Sequence, residues 1–172
     1  MGLRRMKKAW PLIAALFLGF LIGLTIKNVY NLTARQPHQW KDRPVIVNCT
    51  GEDIKESTIK RAVDFWHKKG EEIYFYEYNF IESICKDIKL IDGFIIITTS
   101  KNAKNSDLTL ATTKRSARLG VIQSAIIEFK PGTHNFILLL EHELGHAFGY
   151  THRKIPGHIM HPYYDMMGDK FW

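Results

Sequence analysis

His142 and His146 stand four residues apart in the stretch LLLEHELGHAFGYTHRKIPGHIMHPYY, residues 138–164. On a helix that interval puts both imidazoles on one face, where they can share a single ion. Glu143 follows the first histidine directly, within reach of a water on that ion. Gly149 comes three residues after His146, where a helix can end and turn sharply, and His152 three residues later is placed to return as a third ligand. Three neutral imidazoles leave the ion's charge uncancelled and one coordination position open. A water there is acidified toward a pKa of ~7, and a neighbouring carboxylate can take its proton. Hydrolysis of a peptide bond is the reaction this set suits best. The plain alternative is a helix with satisfied surface histidines. Against it, HExxHxxGxxH arises from this chain's own residue frequencies with a chance below about one in ten thousand.

Such a site needs a scaffold. Phe136, Leu140, Leu144 and Ala147 recur at helical intervals with Phe148 beside them, so the back of the histidine-bearing helix is expected in a core. Upstream, PVIVNCT (44–50) is a β-branched run between Pro44 and Gly51 and predicts a strand. A helix over 56–69 follows from Ile59, Ala62, Val63 and Trp66, stopping at Gly70, with Ser57 or Asp53 as its cap. EIYFYEYN (72–79), GFIIITTS (93–100), LTLATTKR (108–115) and GVIQSAIIEFK (120–130) read as four further strands, and Pro131–Gly132 breaks the chain before the motif helix. The expectation is an α/β (α+β) layered domain with a mixed sheet.

The segment HELGHAFGYTH resembles, residue for residue, the signature of the metzincin clan of zinc endopeptidases. Met160 in HIMHP, eight residues after His152, stands where that clan has its Met-turn, and the spacing with Pro156 and Pro162 is most similar to the matrixin branch. The resemblance implies one catalytic zinc held by His142, His146 and His152. It also implies Glu143 as general base, Met160 as the hydrophobic floor under the metal, and a twisted mixed sheet with an edge strand that receives an extended substrate. That strand would be 108–115, although Lys114 and Arg115 there equally suit the protection of a free edge. Arg153 replaces the serine that matrixins usually carry after the third histidine, and no cysteine precedes residue 49 to form a cysteine switch. Acids are scarce over 101–135, so a single metal ion is expected. His158 and His161 flank the Met-turn and are candidates for orienting a ligand from behind; His38, His67 and His134 are read as non-ligands.

Residues 9–26, AWPLIAALFLGFLIGLTI, carry no charge and follow Arg4, Arg5, Lys7 and Lys8. At ~1.5 Å per residue they reach roughly 27 Å, about one hydrocarbon core. A signal anchor is the leading expectation, against a cleaved signal peptide or a buried helix, because no small-x-small cleavage site follows. The basic tail 1–8 would stay in the cytoplasm and the rest would face outward. Residues 27–43 read as a linker and 44–172 as the zinc peptidase domain. Four of the 24 Lys and Arg residues belong to the tail, which leaves 20 against 17 acids, and a nucleic-acid partner loses its support. The expected partners are therefore a protein or peptide substrate and, through the N-terminal helix, the membrane; a monomer is the expected state. Cys49 and Cys85 could form a disulfide in an oxidising compartment, a pairing that spacing leaves open. The rival function is a zinc-stabilised binding domain that has lost activity, for which Glu143 would have no use.

Overall fold

The computed structural model describes residues 39–51, 53–77, 81–100 and 109–171. The expected anchor and tail, and most of the linker, lie outside the described residues. Within them, no helix is long and apolar enough to cross a membrane.

The chain runs through strand β1 (Gln39–Trp40), β2 (Val45–Asn48), helix α1 (Glu56–Lys68), β3 (Phe75–Glu77), a single helical turn α2 (Glu82–Cys85), β4 (Phe94–Thr99), β5 (Ala111–Arg118), β6 (Val121–Phe129) and helix α3 (Leu139–Ala147), with a short 3-10 turn at Tyr164–Met166. All six strands share one sheet, in the order β1-β6-β4-β2-β3, with β5 on the other side of β6. Among the described strands, only β5 is antiparallel to its neighbour. The mixed sheet with helices is that expected from the sequence, and β5 is an edge, three residues later than the predicted 108–115. Its register with β6 runs regularly to Ser116 and then shifts between Ser116 and Ala117. Such a bulge bends an edge strand and increases its twist.

Registration explains where the core sits. Ile46 lies opposite Ile95 and Ile95 opposite Ala125, while Ile97 lies opposite Ile127. Side chains directly opposite one another project from the same face. These rows join Ile59, Ala62, Val63 and Trp66 of α1 and Leu140, Leu144 and Ala147 of α3 in one apolar cluster. The i, i+3, i+4, i+7 pattern of α1 thus buries the four residues it predicts. Trp66 is its centre: fully buried, it stacks on Tyr150 at 5.2 Å and donates its indole N–H to the Glu141 carbonyl at 2.7 Å. Arg61, one turn earlier on α1, pairs with the buried Glu141 carboxylate at 2.6 Å. Through these contacts α1 grips the motif helix from behind.

Several details differ from expectation. Neither Ser57 nor Asp53 caps α1; Lys55, in extended conformation, holds the N-cap position without a side-chain bond. Phe136 precedes α3 instead of joining its stripe, is 38% exposed, and meets the Tyr164 ring at 5.2 Å. Gln39–Trp40, inside the stretch expected as linker, pairs with Val121–Ile122, and the Trp40 indole donates to the Ala147 carbonyl at 3.0 Å. A two-residue strand is too short to show any periodicity. Cys49 and Cys85 do pair, joining the end of β2 to α2 across 36 residues. Closing a loop of that length removes chain entropy worth about 4 kcal/mol in the unfolded state.

Candidate metal centre

Helix α3 supplies His142 and His146 from one face, as their four-residue spacing requires. The helix stops at Ala147; the Gly149 N–H bonds to the His146 carbonyl, and Gly149 adopts φ 98°, a left-handed value that a side chain disfavours. That turn brings His152 back against the helix. The Nε2 of His146 lies 3.1 Å from Nε2 of His142 and 3.1 Å from Nε2 of His152. The three are the group of His, Cys, Asp and Glu side chains among the described residues whose ligand atoms converge closely enough to hold one ion.

Tautomers make the cluster a site. His142 Nδ1 lies 2.8 Å from the Ile159 carbonyl, and His146 Nδ1 lies 2.8 Å from the Tyr150 carbonyl. A carbonyl oxygen only accepts, so both Nδ1 atoms carry the proton and both Nε2 atoms present bare lone pairs to each other. Lone pairs 3.1 Å apart repel unless a cation lies between them. Tetrahedral zinc with bonds of ~2.0–2.1 Å holds its nitrogens about 3.3 Å apart, so spacing and donor set both fit that ion. Burial, and then the charge of His146, pushes the pKa of His142 down to about 4; burial does the same for His146, also to about 4, and lowers His152. Neutral imidazoles at pH 7 are what metal binding needs.

Glu143 lies in the same cleft and is 4% exposed. Its Oε2 accepts a hydrogen bond from the Thr113 hydroxyl at 2.6 Å, which ties the motif helix to edge strand β5. Burial pushes its pKa up to about 7, against the lowering effect of the Thr113 bond. The cleft, about 430 Å3, runs between β5 (Ala111, Thr113, Arg115) and the segment after the turn (His161, Pro162, Tyr164).

Met160 is 1% exposed and lies beneath α3. A side chain at Gly145 would collide with the Met160 sulfur and the Trp66 ring. Gly145 therefore permits the close approach of the turn to the helix, a role the sequence signals only as a mid-helix glycine that costs ~1 kcal/mol relative to alanine. Of the two flanking histidines, His158 is buried and its Nδ1 accepts the Met160 N–H at 2.9 Å, while His161 lines the cleft and its Nδ1 accepts the Tyr163 N–H at 3.1 Å. His158 thus shapes the turn. Reading the sequence did not single out Glu141 or Thr113: no local pattern marks a carboxylate that will meet Arg61 or a hydroxyl that will meet Glu143.

A mixed sheet, a buried HExxH helix with three convergent imidazoles and a methionine turn packed against that helix define a zincin-type domain. The matrixin family model matches residues 46–171, and the chain belongs to that family. Compared with curated proteins one by one, it has no match.

Proposed function

We propose that this matrixin domain is a zinc-dependent metalloendopeptidase, with His142, His146 and His152 as the ligands of one zinc and Glu143 as the general base. The convergence of three histidine Nε2 atoms, two of them bare, beside a buried carboxylate in an open cleft carries the reading. Zinc, when bound, supplies a Lewis acid that polarises the scissile carbonyl and acidifies a water. The chain's own groups do the rest. No strand among the described residues pairs with the outer edge of β5, which can receive an extended peptide as an added strand and place it across the cleft. Thr113 fixes one oxygen of Glu143 and leaves the other to take the proton of the attacking water and return it to the leaving amine. Met160, buried and apolar, packs the floor and keeps the helix and the His152 segment in register.

The same proposal places the domain outside the cell, tethered by residues 9–26 behind a basic cytoplasmic tail. The disulfide supports an oxidising compartment, since such bonds rarely persist in the cytosol. Protease added to intact cells is expected to digest the domain and spare the tail; protection of the domain would overturn the topology.

Zinc content of the purified chain, measured together with hydrolysis of a broad peptide library, tests the activity. One zinc per chain is expected, lost in His146→Ala. Two tightly held ions, or zinc retained by His146→Ala, would overturn the ligand set.

A further inference from the structure

Arg115 is the one Lys or Arg side chain among the residues lining the cleft, where Glu143 is the one carboxylate. Its place follows from register. Thr113 lies opposite Ile127 and Arg115 opposite Ala125, so both project from the face that carries the core isoleucines and α3. Lys114, between them, belongs to the other face and is neutralised by Glu128 at 2.8 Å. The two basic residues of this edge are therefore not equivalent. Lys114 guards the outer surface, and Arg115 is turned toward the histidines.

No carboxylate among the described residues pairs with Arg115. Its guanidinium is partly desolvated, which holds its pKa below the usual arginine value, and its charge reaches His146 and disfavours protonation there. An accessible cation at the wall of an open groove, with its donors unspent on any described acid, is a receptor for an anion that arrives with the ligand. A planar guanidinium matches a carboxylate with two parallel hydrogen bonds.

We propose that Arg115 forms a carboxylate-binding subsite that makes the cleft selective for extended peptides carrying aspartate or glutamate near the bond to be cut. Distance sets how near. Thr113 touches Glu143, and Arg115 is two residues further along β5, about 7 Å at the rise of a strand. An added strand advances at the same rate, so the acid falls within about two or three residues of the scissile bond. This subsite rests on the peptidase reading for its substrate class, although binding can be measured without turnover.

The test uses the full chain, zinc-loaded and carrying Glu143→Gln so that nothing is cut. The probes are fluorescent heptapeptides of alanine and glycine, acetylated and amidated so that neither terminus offers a charge, with one Glu, Gln or Lys walked through the sequence. At one position Glu is expected to bind about tenfold more tightly than Gln, and Lys more weakly than either. Adding Arg115→Gln should level the three, Arg115→Lys should keep part of the preference for Glu, and Arg115→Glu should shift it toward Lys. Equal binding of all three residues at every position, or no binding at all, would overturn the subsite. Should Arg115→Gln fail to fold, Arg115→Lys still reads the preference. Turnover of the same peptides by the native chain separates the two ideas. Hydrolysis indifferent to Glu removes the subsite alone. Glu-selective binding without hydrolysis removes the peptidase reading and leaves the subsite standing.

Discussion

The back of helix α3 is held by bulk: Trp66, Leu140, Leu144 and Ala147 are buried to within 1% of full coverage, and Phe148 and the Trp66 ring lie 5.6 Å apart. Its front is held by single bonds, each with one partner: His142 to Ile159, His146 to Tyr150, Glu143 to Thr113. Packing on the back is shared among many contacts, so one loss is felt by the whole fold. On the front each group has its own anchor, so one loss is felt by the chemistry. A front-face change should therefore alter turnover first, and a back-face change should alter stability first.

Glu143→Gln is the strongest test of that separation. The substitution keeps shape but cannot accept a proton, so turnover should fall by ~10²–10⁴ while zinc and the fold are retained. A tenfold or smaller loss would mean that another group takes the proton. Equal inactivity of native chain and variant, both zinc-loaded, would favour a binding domain.

Trp66→Ala attacks the other face and should cost about 3–5 kcal/mol in urea unfolding. It empties the centre of the α1 contact and leaves the Glu141 carbonyl without its donor. A cost below 1 kcal/mol, on the same scale, would show that α1 does not grip the helix as described.

Acidification reads both kinds of group at once. His142 and His146 have folded pKa values of about 4, below the ordinary 6.5, so between those limits the unfolded chain binds more protons and stability falls as pH falls. Glu143, raised from 4.5 to about 7, works the other way, since its charged form is disfavoured by burial and its contribution is lost as pH rises through that window. With two histidines against one glutamate, the metal-free chain should lose thermal stability from pH 6.5 toward 4. Glu143→Gln should steepen that loss. A flat melting profile would contradict the burial of the imidazoles.

Met160→Leu should have the smallest effect. Close to volume-conserving, it is expected to cost under ~1.5 kcal/mol and to keep zinc and most activity, because the thioether packs and does not ligate. Complete loss of metal would place Met160 among the ligands.

The front of the helix was legible in the sequence because everything that builds it is local: His142, Glu143, His146, Gly149 and His152 span eleven consecutive positions, and one helix and one turn convert spacing into geometry. The apolar periodicity of α1 was legible for the same reason. What escaped is non-local or too short. Thr113 meets Glu143 across 30 residues and Arg61 meets Glu141 across 80, contacts that only the assembled sheet creates. Gln39–Trp40 and Glu82–Cys85 are too brief for a period, and the polar run TTKRSAR hid the end of β5, so its predicted limits slipped by three residues.

The shift of register between Ser116 and Ala117 also has a meaning for whatever lies along β5. An antiparallel edge turns the N–H and C=O of alternate residues outward, so the regular part, Ala111–Ser116, presents about three residues' worth of free backbone groups before the strand bends away. The bulge acts as a ruler. On the far side of the bulge the regular ladder ends, and a guest gains its rungs along Ala111–Ser116 only as an uncoiled chain. Helical segments and the paired strands of folded proteins cannot be gripped there. The enzyme proposed for this fold would thus sort its targets by local disorder before reading any side chain, leaving compact neighbours intact and drawing in tails, loops and damaged chains.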